Sequence, residues 1–393
     1  MRGPRDTTAL RAGEAHARFL GTKFFSTLDG LRALAIVFVV GHHAMGTEHW
    51  LFGYEVHFAL FFGISGFLIT TLLLRERSRY GGISLKRFYI RRALRIYPLY
   101  YAVLALYCLL VFLTERGTAA GAAFWDNLPA FATFTTNWFV PFERGDRVIF
   151  YFAWSLAAQE QFYLVWPWIV SARRRWVPVA FLAALLAADA AVAAALSAGW
   201  LEMGATGARI ATSASAPILL GALLAYAAHH RATFAAAYGV LGRAYSLPVA
   251  FGVMAALYAV QAPEPWMTLA IVAVVGAGCI RPDPAMRWAF ANRPLAWVGT
   301  ISYGLYLMHM LSLNVARRLE LPAWPEYLLG LAIAIAAAAV SYRWFESPLL
   351  ELKDRFAGRR PASGWGEDAR HSQLPTPASA LAPAASAAAP NAG

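Results

Sequence analysis

The sequence predicts an all-α polytopic membrane protein with about ten transmembrane helices and both termini in the cytoplasm. Three observations predict it. The chain is 59% hydrophobic and 14% charged, with a mean hydropathy of +0.48, where an ordinary soluble domain carries about 25% charged residues. Apolar stretches long enough to cross a bilayer as helices recur along most of the chain. The basic residues are also sorted by side. With the N-terminus placed inside, 28 of the 34 Lys and Arg fall in inner segments and 6 in outer loops, which is the positive-inside pattern. The net charge of +12 therefore reports topology, and no nucleic-acid partner is expected. Cys108 and Cys279 both lie in apolar runs, so neither a disulfide framework nor a metal site is indicated.

Residues 1–27 form a basic cytoplasmic arm carrying Arg2, Arg5, Arg11, Arg18 and Lys23. The polar start shows no short apolar segment followed by a small-residue cleavage site, so no cleavable signal is expected. A first span covers 28–45. Others follow at about 54–74, 93–113, 148–171, 176–198, 208–228, 244–260, 265–280, 296–316 and 326–345. The longest outer loop, about 114–147, holds Trp125, Trp138 and Phe142 and is expected to carry a short interfacial helix over an outer cavity. The membrane domain thus occupies 28–350. Residues 351–393 form a cytoplasmic tail, rich in Pro, Ala and Ser from about 361 and expected to be disordered from there, because such a composition buries no core. No internal repeat argues for inverted transporter halves.

Ionisable groups inside spans are costly and point to function. The stretch Leu28-Asp29-Gly30-Leu31-Arg32-Ala33 opens the first span, which ends on His42-His43. Arg32 and His43 are 11 residues apart, three helical turns and roughly 16 Å along one face. His42 is rotated about 100° away. A bland alternative is that Arg32 snorkels to one interface while the histidines mark the other. In Phe61-Phe62-Gly63-Ile64-Ser65-Gly66 the two glycines suit close helix packing, and Ser65 is expected to line a polar cavity with the histidines. Arg92 and Arg95 share a helix face at i, i+3. Their forks suit phosphate, although cations there also serve topology and anionic lipid. Glu160, flanked by Gln159 and Gln161 near mid-span, needs a partner: either Arg32 as a structural counter-ion or an imidazole to orient. His309 reads as helix-to-helix hydrogen bonding rather than a catalyst, and Arg343 with Glu346 as a local ion pair.

Together these stretches resemble the membrane-bound acyltransferase-3 family, which includes bacterial O-acetyltransferases acting on lipopolysaccharide, peptidoglycan, exopolysaccharides and macrolides. The resemblance runs from about Leu28 to Pro348 and rests on motifs in a fixed order. These are Leu28-Asp29-Gly30-Leu31-Arg32-Ala33, Arg32 with His43 after ten residues, and Phe61-Phe62-Gly63-Ile64-Ser65-Gly66-Phe67-Leu68-Ile69. Then come Arg92-Ala93-Leu94-Arg95, Trp154-Ser155-Leu156 with Glu160-Gln161-Phe162-Tyr163, Ile301-Ser302-Tyr303-Gly304-Leu305-Tyr306-Leu307-Met308-His309, and Phe345-Glu346-Ser347-Pro348. The chain departs from the family at Gln159, where a first glutamate is usual. It departs again at Glu55-Val56-His57, where Gly-Val-Asp is common, so that the Asp role is lost or passes to Glu55. At this length no extracytoplasmic hydrolase-like domain, such as some relatives carry, is expected.

The resemblance implies an acyl-coenzyme A donor, with the acyl group an acetyl, as co-substrate on the cytoplasmic side. No permanently bound cofactor is implied. It selects His43 over His42 as the essential histidine and Arg92 and Arg95 as the basic pair. Acyl transfer from a thioester to a hydroxyl needs a base and donors for the developing oxyanion. His43 is the expected general base, with Glu160 and Arg32 as its catalytic partners, while Arg92, Arg95, Ser65 and Tyr163 hold the donor. The acceptor expected is a carbohydrate, lipid-linked saccharide or macrolide, reached from the outer side of an inner membrane. A transporter or flippase for a glycolipid or coenzyme A ester is the rival reading, using the same cavity without covalent chemistry.

Overall fold

The computed structural model describes residues 4–46, 49–52, 56–142, 147–281 and 285–356. Glu55 and the tail from 357 onward, on which two of the expectations fall, lie outside the described residues. Every described regular element is helical. In chain order they are α1 (Pro4–Gly21), α2 (Ser26–Met45), α3 (Val56–Tyr80), α4 (Leu85–Thr114), α5 (Ala119–Ala132), α6 (Thr136–Phe139), α7 (Ala153–Ser171) and α8 (Trp176–Ser197). Then follow α9 (Ala205–Ala211), α10 (Ala216–His229), α11 (Arg231–Leu241), α12 (Ser246–Ala259), α13 (Glu264–Ile280), α14 (Arg287–Phe290), α15 (Arg293–Arg317) and α16 (Ala323–Ser341). A π-helical turn (Tyr342–Glu346) leads into α17 (Ser347–Phe356).

Each of the ten apolar stretches contains helix, though 148–152 lie outside any helix and 212–215 interrupt the stretch 208–228, and fewer are free-standing spans. Among the described residues, six segments are long and apolar enough to cross a membrane. A seventh is added if α11 and α12, bent by 68°, count as one broken span. The shortfall has a physical cause. Helix α7 carries Gln159, Glu160 and Gln161, and α15 carries Ser302 and His309, so both are too polar for lipid and take their place beside other helices. Helix α13, at 17 residues, is merely short. Helix α8 is the opposite case: only Pro178 and Leu182 are buried, as suits a helix bathed in lipid.

Several helix pairs approach through glycine. A Cβ on Gly66 of α3 would stand 1.9 Å from the Ile218 carbonyl oxygen of α10, and one on Gly221 would stand 2.3 Å from the Gly63 oxygen. On α15, a Cβ at Gly299 would stand 2.2 Å from the Asp29 oxygen of α2. Small residues let backbones touch where lipid supplies no hydrophobic drive for association. The glycines beside Ser65 are thus packing residues. The basic arm is also more than an arm. Its residues 4–21 form α1, with Ala12, Ala15 and Phe19 buried on one face, and the Phe19 ring lies among Phe25, Phe67 and Phe234.

The loops sort into two ends. At one, Arg77 donates to the carbonyls of Val170 and Arg173 at 3.0 and 3.2 Å, and His16 and Ser78 both bond His229. At the other, Tyr258 bonds Leu51, Arg147 pairs with Glu115 at 2.5 Å, and Arg209 donates to the Trp138 carbonyl at 3.1 Å. Over that second end, α5 and α6 occupy the loop expected to carry an interfacial helix.

Candidate active site

Two polar centres occupy opposite ends of α2. At its start Arg32 donates to Asp29 at 3.0 Å. A cavity of about 60 Å³ lies beside this pair, lined also by Lys23, Leu72 and Arg75. The basic segment expected as a helix entry is the first part of α4. There Arg91 holds Glu76 at 3.3 Å, and Glu76 also accepts the Ser84 backbone N–H at 3.0 Å, which ties the α3–α4 turn. Arg92 turns inward. Its guanidinium carbon stands 4.2 Å from the centre of the Tyr163 ring, a cation–π contact, and Glu160, Arg95 and Arg32 are its charged neighbours. Arg95 is exposed and adds its charge near both Asp29 and Glu346.

The far end of α2 holds imidazoles. His42 is buried, with Nδ1 2.8 Å from the Phe52 carbonyl oxygen. The His43 ring is half-buried and lies 4.9 Å from that of His309 on α15. The His42 ring lies 5.0 Å from that of His57 on α3. Arg317 fastens this end by donating to the His43 carbonyl at 2.6 Å while pairing with Glu326 at 3.2 Å. His43 Nε2, His309 Nε2 and both ring nitrogens of His57 are buried without a hydrogen-bond partner.

Several sequence expectations are redrawn by this arrangement. Glu160 is buried beside Arg92 and Tyr97, not beside His43, and Arg32 takes Asp29 instead. The separation follows from α7 itself. Phe152, just before it, touches His309 with ring centres 5.3 Å apart, and Glu160 comes eight residues later, about 12 Å further along a helix. Ser65 contacts Gln159 and has Tyr163 as a neighbour, so it belongs with the arginines rather than the histidines. Arg343 and Glu346 form no local pair. The π-helical turn leaves Arg343 exposed and swings Glu346 inward, towards Arg95 and 3.4 Å from the Ser341 hydroxyl. His309 bonds the Tyr306 carbonyl of its own helix, not a neighbouring helix. His57, a departure from the family motif in sequence, stands in this imidazole group. An imidazole in an apolar run was itself the available signal.

A helical membrane protein with arginines gathered at one end of its bundle and imidazoles at the other is the class these features define. The sequence profile of the acyltransferase domain family matches residues 25–343. Among curated proteins the chain is similar to the peptidoglycan O-acetyltransferase OatA of Listeria monocytogenes, 27% identical over 83% of this chain and 56% of that protein. It is also similar to the putative peptidoglycan O-acetyltransferase YrhL of Bacillus subtilis, 26% identical over 86% of this chain and 57% of that one. A putative O-acetyltransferase of Staphylococcus aureus shares 34% identity over 38% of this chain and 25% of its own. No solved structure matches. The chain belongs to the acyltransferase-3 family, and it spans little more than half the length of the first two relatives.

Proposed function

We propose that the chain is a multi-pass enzyme of the bacterial inner membrane that moves an acetyl group from acetyl-coenzyme A to a hydroxyl of a cell-envelope carbohydrate. The family, together with two relatives named as peptidoglycan O-acetyltransferases, supports acetyl as the group and a glycan as the acceptor. The observation that carries the reading is the division of α2. Arginines suited to a polyphosphate gather at its start, and the His43 imidazole, with its ring against that of His309, stands at its end. A donor with phosphates at one end and a thioester at the other, joined by an extended arm, matches that separation.

In this reading Arg92 and Arg95 bind the donor phosphates at the cytoplasmic end, where the Lys and Arg majority lies. Glu160 holds Arg92 inward, and Ser65 and Tyr163 line the arm's path. Arg32, set against Asp29, fixes the face of α2 that the donor follows. His43 takes the proton from the acceptor hydroxyl, whose oxygen then bonds the thioester carbonyl carbon. The carbon–sulfur bond breaks, and the departing thiolate takes the proton back from His43. Ten membrane crossings, with both termini inside, accompany this reading.

Free-thiol release from acetyl-coenzyme A by the detergent-purified chain, with and without peptidoglycan glycan fragments, tests it. His43→Ala should lower release by about 10²–10⁴-fold, the usual contribution of a general base, and leave donor binding intact. Wild-type protein that binds donor but never releases thiol would favour the transporter reading. An active His43→Ala variant would remove the histidine from the mechanism.

A further inference from the structure

Buried polar atoms are nearly always hydrogen-bonded, and the exceptions ask for an explanation. Unpartnered imidazole nitrogens gather around the end of α2, and two of them belong to one pair of rings. His309 is completely buried. Its Nδ1 is committed to the Tyr306 carbonyl, and a carbonyl only accepts, so Nδ1 carries the proton and Nε2 of the neutral ring is a lone pair. The ring cannot easily turn. Phe152 lies edge-on against it, and the Tyr306 hydroxyl is anchored by Ser155 at 2.7 Å and by the Phe152 carbonyl at 2.6 Å. That lone pair has no donor, and His43 Nε2 is also buried and unpartnered. The two ring centres are 4.9 Å apart and tilted by 38°; no bond joins them in this structure, and a turn of the His43 ring is what would set its Nε2–H on the His309 lone pair.

We propose that His309 is the positioning residue of the reaction, receiving the Nε2–H of His43 on its own Nε2. The inference rests on His43 being the base. It adds the group that fixes which nitrogen of His43 is basic: with Nε2–H held by His309, Nδ1 is left to take the acceptor proton. When Nδ1 is protonated, the imidazolium still has its Nε2–H on a neutral acceptor. This is the logic by which a third group orients the base in a nucleophile–base–orienter arrangement, with a neutral imidazole in the orienting place. Other imidazoles fit less well. His42 spends Nδ1 on Phe52 and follows His43 on the same helix, while His57 meets His42 rather than His43.

Two variants of the full-length protein in detergent test it: His309→Phe, which keeps the shape without an acceptor, and His309→Gln, whose side-chain oxygen restores one. Thiol release from acetyl-coenzyme A is read with water and with glycan fragments as acceptor. Rates are expressed per donor-binding site, so poor assembly does not enter the comparison. His309→Phe should lower kcat by about 100-fold with the KM for donor unchanged, and His309→Gln should recover at least about tenfold of that loss. A His309→Phe rate within about threefold of wild type would overturn the proposal. So would equal losses in both variants, which would leave His309 a packing residue. His43→Ala, measured alongside, separates the two claims: if it stays active, the base assignment itself has failed.

Discussion

His42 and His43 are neighbours in sequence with different tasks. His42 is buried and holds the Phe52 carbonyl at 2.8 Å, so it fastens the chain that follows α2. His42→Ala should cost about 1–3 kcal/mol of stability by leaving that buried carbonyl unpaired, with only a partial loss of transfer. A thermal-unfolding shift in detergent measures it; an inactive His42→Ala of normal stability would move the base next door. At the other end, Arg92 and Arg95 differ in environment, one stacked on Tyr163 beside Glu160 and the other exposed. Arg95→Lys keeps the charge but not the fork, and should weaken donor binding while the protein still inserts. If an Arg92→Ala, Arg95→Ala double variant binds acetyl-coenzyme A normally, the pair serves topology alone.

Among the elements, α3 against α10 has little room to give. The Ile218 carbonyl oxygen stands 1.9 Å from where a Gly66 Cβ would sit, and it is backbone, so neither helix can yield by turning a side chain. Gly66→Ala should therefore force the helices apart at a cost of about 1–3 kcal/mol or more. Since Ser65 is the preceding residue, donor affinity should fall with stability. A Gly66→Ala protein that melts and binds donor like wild type would show that the contact relaxes freely. Helix α4 illustrates another kind of constraint: one continuous helix carries the exposed Arg95 and, five residues further along, Tyr100, whose hydroxyl bonds the Phe131 carbonyl of α5 at 2.7 Å.

For the whole molecule, loops that the charge count groups together on one side do meet at one end of the bundle. Residues 170, 173 and 229, assigned to one side from sequence, do meet Arg77, His16 and Ser78 in space. The orientation predicts that single cysteines placed at 81 or 82, in the α3–α4 turn, react with a membrane-impermeant maleimide only after the membrane is opened. A cysteine at 116 should react from outside in intact cells. Labelling at 81 from outside would invert the topology and with it the side from which the donor enters.

The order of apolar stretches, the positive-inside split and the motif series were legible because each is a local property: a run's length, a charge's side, a residue's spacing. The same arithmetic put Arg32 and His43 on one face of α2. Partnership was not legible, because it is decided by which helices touch. Asp29 takes Arg32, three residues along its own helix, and frees Glu160 to face Arg92. A π-helical turn, invisible in the spacing of Arg343 and Glu346, turns one out and the other in. The contact of the His43 and His309 rings joins residues 266 positions apart, and only the packing of α15 along α2, backbone against backbone at Gly299, brings the rings to 4.9 Å.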